Sequence, residues 1–151
     1  MSGTILYNGV EATKEQQALL TCYVEQFSSL FTFSTVEETL LYAARLRLPR
    51  NVSESIKKQV AFEVMEVLDL TPIRHCIIGG DGVLGLSPSQ LKRVSIGVEL
   101  VANPSILFLD EPTTGVDSKS AAVVLRAVKR NARAGRTIIC TIHQPSAELF
   151  F

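Results

Sequence analysis

The chain has 151 residues, 46% of them hydrophobic, which is one domain's length with enough apolar side chain to bury a core and excludes a disordered segment. Lys plus Arg and Asp plus Glu both number 15, so no net charge advertises a nucleic acid or an anionic membrane as partner. No apolar run approaches the roughly 20 residues that cross a bilayer and no secretory pattern opens the chain, so any membrane link is expected through a partner or through segments not present here.

Residues 2–9 read as a short strand closed by an Asn8-Gly9 turn. After a polar stretch, Ala18 to Val24 forms a second apolar run, read as a strand ending at Glu25 and Gln26. A glutamine there is either an ordinary surface residue or one whose carbonyl oxygen completes a metal's shell or orients water. Phe27 to Phe33 carries three phenylalanines among Ser and Thr, in a pattern that fits neither helix nor strand. It is either an apolar docking surface or a loop packed on its own domain.

Thr35 and Glu38 have the capping-box spacing, so a helix is expected from there to Pro49, with Leu40, Leu41, Ala43, Ala44 and Leu46 on its apolar face. A second helix is expected from about Ser53 to Leu70. The basic cluster Arg45, Arg47, Arg50, Lys57 and Lys58 reads as a solvated face. His75 reads as a partly buried structural histidine, and Gly79 to Gly85 as a turn-rich loop. The three cysteines, Cys22, Cys76 and Cys140, are far apart, odd in number and without metal-ligand spacing, which suits buried thiols in a reducing compartment. In Leu86-Ser-Pro-Ser-Gln90, Ser87 stands at N-cap, Pro88 at N1 and Gln90 at N3 of a third helix, whose start offers free N–H donors to a phosphate or is simply an ordinary cap.

Ile106 to Leu109 is an uninterrupted apolar run, the pattern of a strand buried on both faces, and it stops at Asp110 and Glu111. An acid pair at the carboxyl end of such a strand lies where open α/β sheets bind ligands, although strand-end acids are also common in solvated turns. Ser118 is expected to cap a helix running to about Ala134, stopped by Gly135. Thr137 to Ile142 then forms a strand ending at His143. This strand, helix and strand make a βαβ unit, which places both strand ends on one sheet edge.

In this order the residues resemble the nucleotide-binding domain of ABC transporters, most closely the G subfamily and its pleiotropic drug resistance type. Ile106-Leu-Phe-Leu-Asp-Glu-Pro112 is similar to the Walker B strand, Thr114-Gly-Val-Asp117 to the D-loop, His143 to the switch histidine, Gln26 to the Q-loop glutamine, and Leu86-Ser-Pro-Ser-Gln90 to the signature motif. The resemblance covers essentially the whole chain. It implies an α/β, P-loop NTPase-like parallel sheet with a helical subdomain at about residues 35–85, and an ATPase that powers export of small molecules or lipids. ATP and Mg²⁺ are the implied cofactors: Asp110 holds Mg²⁺ through water with Gln26 as a further ligand, Glu111 polarises the attacking water and His143 contacts the γ-phosphate. Gln26, Ser87, Ser89, Gln90 and Asp117 are the implied nucleotide contacts. The implied partners are a second nucleotide-binding domain, in cis or in trans, and transmembrane domains, on the cytoplasmic face of a membrane; no nucleic acid is expected.

Two departures from the family pattern matter. No Gly-x-x-x-x-Gly-Lys-Ser/Thr phosphate loop occurs in the sequence, so the chain reads as a fragment cut at both ends, inactive on its own. The signature has Pro88 and Ser89 where the family usually has two glycines, which hinders close backbone approach to a phosphate. The ATP site completed by this signature is therefore expected to be the weaker one of a pair. A non-catalytic ABC-fold interaction module and a soluble ABC ATPase are the alternative readings.

Overall fold

The computed structural model describes residues 4–25, 30–80 and 84–142. Strands β1 (Leu6–Tyr7) and β2 (Val10–Glu11) form an antiparallel hairpin. Its two turn residues, Asn8 and Gly9, both take positive φ, as a type I′ turn requires. Helix α1 (Lys14–Leu20) follows. The apolar run Ala18 to Val24, expected as one strand, is therefore divided, with Ala18 to Leu20 in this helix and only Thr21 to Val24 extended. Thr13 accepts the Gln16 N–H while Gln16 accepts the Thr13 N–H, and this capping box commits the apolar residues after it to a helix.

Strand β3 (Thr21–Val24) pairs in parallel with β4 (Ile106–Leu109), which pairs in parallel with β5 (Thr137–Cys140), giving the order β3-β4-β5. Helix α5 (Ser118–Arg133) is the crossover between β4 and β5. The strand expected to be buried on both faces is not: Leu107 and Leu109 are buried, whereas Ile106 and Phe108 are only half-buried. Cys22 and Val24 of β3 join Leu107 and Leu109 on the core face. In the other row, Tyr23, Phe108 and Ile139 lie in register, with Tyr23 and Ile139 exposed.

Helices α2 (Val36–Arg47), α3 (Glu54–Val67) and α4 (Pro88–Leu100) supply the rest of the core through Leu40, Ala44, Ala61, Met65, Val94 and Ile96. Each fully buried Leu or Met here contributes about 1.5–3 kcal/mol by leaving water. Thr35 and Glu38 form the expected capping box, and Ser53 caps α3. Gly97 lets α4 approach closely: a Cβ there would lie 3.0 Å from Leu40 Cδ2 and 3.3 Å from Leu68 Cδ1.

The basic cluster is not uniformly solvated. Lys57 is buried, and Arg47 pairs with Glu99 at 2.6 Å while donating to the Val98 carbonyl at 3.0 Å. These contacts join the end of α2 to α4. Arg45 does behave as an exposed residue, paired with Glu54. The thiols differ from one another: Cys22 is buried, Cys140 half-buried and Cys76 exposed. His75 is likewise exposed, 3.6 Å from Glu37, rather than partly buried.

Candidate functional site

Parallel registration aligns Val24, Leu109 and Cys140, so Glu25, Asp110 and Thr141 follow one another along the carboxyl edge of the sheet. The ladder continues one step past the strands, with the Asp110 N–H donating to the Val24 carbonyl at 3.0 Å and the Thr141 N–H to the Leu109 carbonyl at 3.1 Å. Both carboxylate oxygens of Asp110 are held. The Thr141 hydroxyl donates to Oδ1 at 2.8 Å and the Tyr23 hydroxyl to Oδ2 at 3.0 Å. The bond to Asp110 raises the Tyr23 phenol above its ordinary pKa, with smaller contributions from burial and from the charges of Asp110 and Glu25.

Glu111 has φ +43, the left-handed region, directly before Pro112. This costs a β-carbon-bearing residue about 1–3 kcal/mol, and such conformations persist where surrounding bonds over-determine them. Here the Glu111 N–H donates to the Thr141 hydroxyl at 2.9 Å, and the Glu111 carbonyl accepts the Thr114 N–H at 3.1 Å. The turn takes Glu111 out of the strand's alternation, in which successive side chains leave on opposite faces. Thr141 therefore positions both acids: it donates to one carboxylate and accepts from the backbone of the other.

Lys92, on α4, reaches the same edge. Its side chain is buried, and Nζ donates to the Glu25 carbonyl at 3.1 Å and to the Asp110 carbonyl at 3.5 Å. Burial pushes its pKa down, and the charges of Asp110 and Glu111 pull it back up. A cation so placed offsets part of the repulsion between two adjacent carboxylates.

The start of α4 is built as expected. Ser87 accepts the Gln90 N–H at 3.4 Å, the Gln90 side chain accepts the Ser87 N–H at 2.9 Å, and Pro88 occupies N1. The Gln90 carbonyl oxygen is thus engaged in the cap. The chain leading into it is tightly seated: a Cβ on Gly85 would lie 2.3 Å from the Ile78 carbonyl oxygen and 2.4 Å from Gly79 Cα, so only glycine fits. The cap of α5 is Asp117, not Ser118, which is the first helical residue; Asp117 Oδ1 accepts the Ser120 N–H at 2.9 Å. That backbone bond, then the Ser120 side chain and more weakly the Ser89 hydroxyl, hold Asp117 down at about 2. Ser89 and Asp117 are therefore neighbours.

Two groups emerge: Asp110 and Glu111 at the sheet edge, and Ser87, Ser89 and Gln90 with Asp117 at two helix starts. Gln26 and His143 lie outside the described residues. Among the described residues no three His, Cys, Asp or Glu side chains gather to hold a metal by themselves. The adjacent acids at the sheet edge nonetheless fit Mg²⁺, which takes one or two carboxylates and completes its shell with water and phosphate oxygens.

Residues 1–114 match the profile of the ABC transporter family. The chain belongs to that family. Over 150 residues, 99% of its length, it is 48% identical to ABC transporter G family member 30 of Arabidopsis thaliana and 47% identical to Pleiotropic drug resistance protein 1 of Nicotiana tabacum. It is 46% identical over the same length to ABC transporter G family member 35 of Oryza sativa subsp. japonica. The chain spans only 10–11% of the length of these relatives. Its parallel sheet and helices form the α/β, P-loop NTPase-like arrangement of an ABC nucleotide-binding domain.

The sequence reading of this ABC family chain missed Tyr23, Lys92 and Thr141. Each had a signal: Tyr23 and Thr141 lie within three residues of Gln26 and His143, and Lys92 follows the signature by two positions. Their partners are 87, 18 and 31 residues away in the chain, and only the folded sheet brings them together.

Proposed function

We propose that this chain supplies the hydrolytic half of an ATP site in a longer ABC transporter of the G type. The observation that carries the proposal is the Asp110–Glu111 pair at the carboxyl edge of a parallel sheet, with one acid held by Thr141 and Tyr23 and the other in a left-handed turn. Asp110, with Gln26, would hold Mg²⁺ through water. The ion would supply charge neutralisation to the β- and γ-phosphate oxygens. Glu111 orients and polarises the attacking water as general base, and His143 contacts the γ-phosphate. Ser87, Ser89 and Gln90, with Asp117 beside them, face the nucleotide of a second nucleotide-binding domain. Hydrolysis would drive transmembrane domains, placing this chain at the cytoplasmic face of a membrane.

Further features support this assignment. Around α2 a cleft of about 780 Å³ is lined by Leu30, Phe31, Phe33, Tyr42, Leu46 and Val98, and Phe31 and Phe33 are 79% and 77% exposed. This surface suits an apolar segment of the membrane portion and favours a transporter over a soluble ATPase. Residues 35–85 would act as the helical subdomain. Its two ends are joined by an antiparallel bridge between Thr35 and Ile77 and by the Ile78 N–H donating to the Ser34 carbonyl at 2.9 Å.

The test is Glu111→Gln in the complete transporter: ATP hydrolysis falls by about 100-fold or more while ATP binding persists, as expected on removal of a general base. Unchanged turnover refutes the assignment. A second reading, a non-catalytic module, is favoured for the isolated chain because its sequence contains no phosphate-loop lysine. Tight Mg-ATP binding by the purified 151-residue chain would overturn that reading.

A further inference from the structure

Lys92 is the one buried cation that reaches from the signature helix to the acidic sheet edge among the described residues. Resting on the function proposed above, we infer that Lys92 is a positioning residue. It ties the start of α4, offered to the partner's nucleotide, to the strand ends that carry this chain's own hydrolytic site, and so couples the two ATP sites of an assembled pair.

The geometry supports the link in both directions. The Glu25 carbonyl directly precedes Gln26, and the Asp110 carbonyl directly precedes Glu111, so one ammonium joins the backbone at two expected catalytic positions. At about 1.5 Å rise per residue, Lys92 lies only about 3 Å along the helix axis from Gln90 and about 7.5 Å from Ser87. A helix is stiff over that distance. A shift of the strand ends on nucleotide binding or hydrolysis therefore pulls on the helix within two turns of its capping box. The reverse also holds: a phosphate engaging Ser87 and Ser89 moves the anchor of Asp110.

Buried placement makes the tie specific. A lysine stem alone could pack as a methionine does, but the two strand-end carbonyls that accept from the ammonium lose a charged donor when it is removed. Arginine keeps the charge and donors on a bulkier head and restores part of the link.

The experiment is steady-state ATPase kinetics of the complete transporter carrying Lys92→Met, Lys92→Gln or Lys92→Arg, each alone and with Ser87→Ala. Lys92→Met and Lys92→Gln are expected to lower kcat by about tenfold with the KM for ATP within about twofold, and Lys92→Arg to recover to within about threefold of the parent. In the double variants the Ser87→Ala effect shrinks, because the part of it that reaches this chain's acids through Lys92 is already cut and only the direct contact with the partner's nucleotide is left to lose. Unchanged kcat in either neutral variant overturns the inference, as does strict additivity with Ser87→Ala. If Lys92→Met fails to fold, Lys92→Gln and Lys92→Arg carry the same test. Failure of the functional assignment is separately visible as turnover that survives Glu111→Gln.

Discussion

Thr141 donates its hydroxyl to Asp110 Oδ1 at 2.8 Å, and the same oxygen accepts the Glu111 N–H at 2.9 Å. One side chain, one residue past the strand that follows the crossover, thus holds the carboxylate of one acid and the backbone of the other. Thr141→Val keeps the shape and removes both bonds. Because Thr141 is exposed, water replaces much of the lost bonding, and stability should fall by only about 1 kcal/mol or less. Turnover of the complete transporter should fall by about tenfold, since misplaced catalytic groups are penalised more than a solvated hydroxyl. Thr141→Ser should restore most of it, and a Thr141→Val enzyme with full kcat would show that the acids do not depend on this contact.

Asp117 predicts a pH dependence of stability. Its folded pKa is about 2 against an ordinary 3.8, so the folded state favours the carboxylate and the unfolded state binds the proton more readily. The stabilisation is therefore present above about pH 4 and is lost as pH falls toward 2. Urea midpoints measured across that window should fall less steeply for Asp117→Asn, which keeps a capping oxygen but has no charge to titrate. Equal slopes for the two proteins would remove Asp117 from the acid response.

The glycine positions separate two kinds of close packing. At Gly97 a new methyl would meet flexible side-chain ends, at 3.0 Å from Leu40 Cδ2 and 3.4 Å from Val64 Cγ1. Gly97→Ala should be destabilising by no more than about 1 kcal/mol, because about 1 kcal/mol of gained helix propensity offsets the crowding. At Gly85 the obstacle is backbone, which cannot move aside. Gly85→Ala should therefore lower the melting temperature more than Gly97→Ala, and the reverse order would contradict the packing described for the chain leading into α4.

The cysteines should react in order of exposure. Cys76 is exposed, whereas burial, with a further push from Glu99, raises the Cys22 thiol to about 11 despite the opposing Arg47 charge. At pH 8 a thiol-alkylating reagent should label Cys76 first and leave Cys22 unmodified until the protein is unfolded. Peptide mapping by mass spectrometry reads this directly.

Local chemistry made several elements legible without a structure. The capping boxes at Thr35 and Ser87, the Asn8-Gly9 turn and the stop at Gly135 each rest on residues only a few positions apart, and the structure has each of them where the sequence predicts it. The capping box at Thr13 is equally local, yet the apolar residues Ala18 to Leu20 by themselves fit a strand as well as a helix, because a short apolar run has no period of its own. The assignment of the α5 cap to Ser118 failed by one position, since Asp117 and Ser118 are both good caps and only backbone conformation distinguishes them.

By itself the sequence determined the order of the motifs and hence the family, the acid pair at a strand end, and most helix starts, because each depends on residues adjacent in the chain. Only tertiary structure decided which side chains hold those acids. Tyr23, Lys92 and Thr141 come from three elements and meet Asp110 through the parallel register of β3, β4 and β5 and the packing of α4 on the sheet. Hydrogen bonds between groups this far apart leave no periodicity in the chain, because their geometry exists only after the strands have aligned.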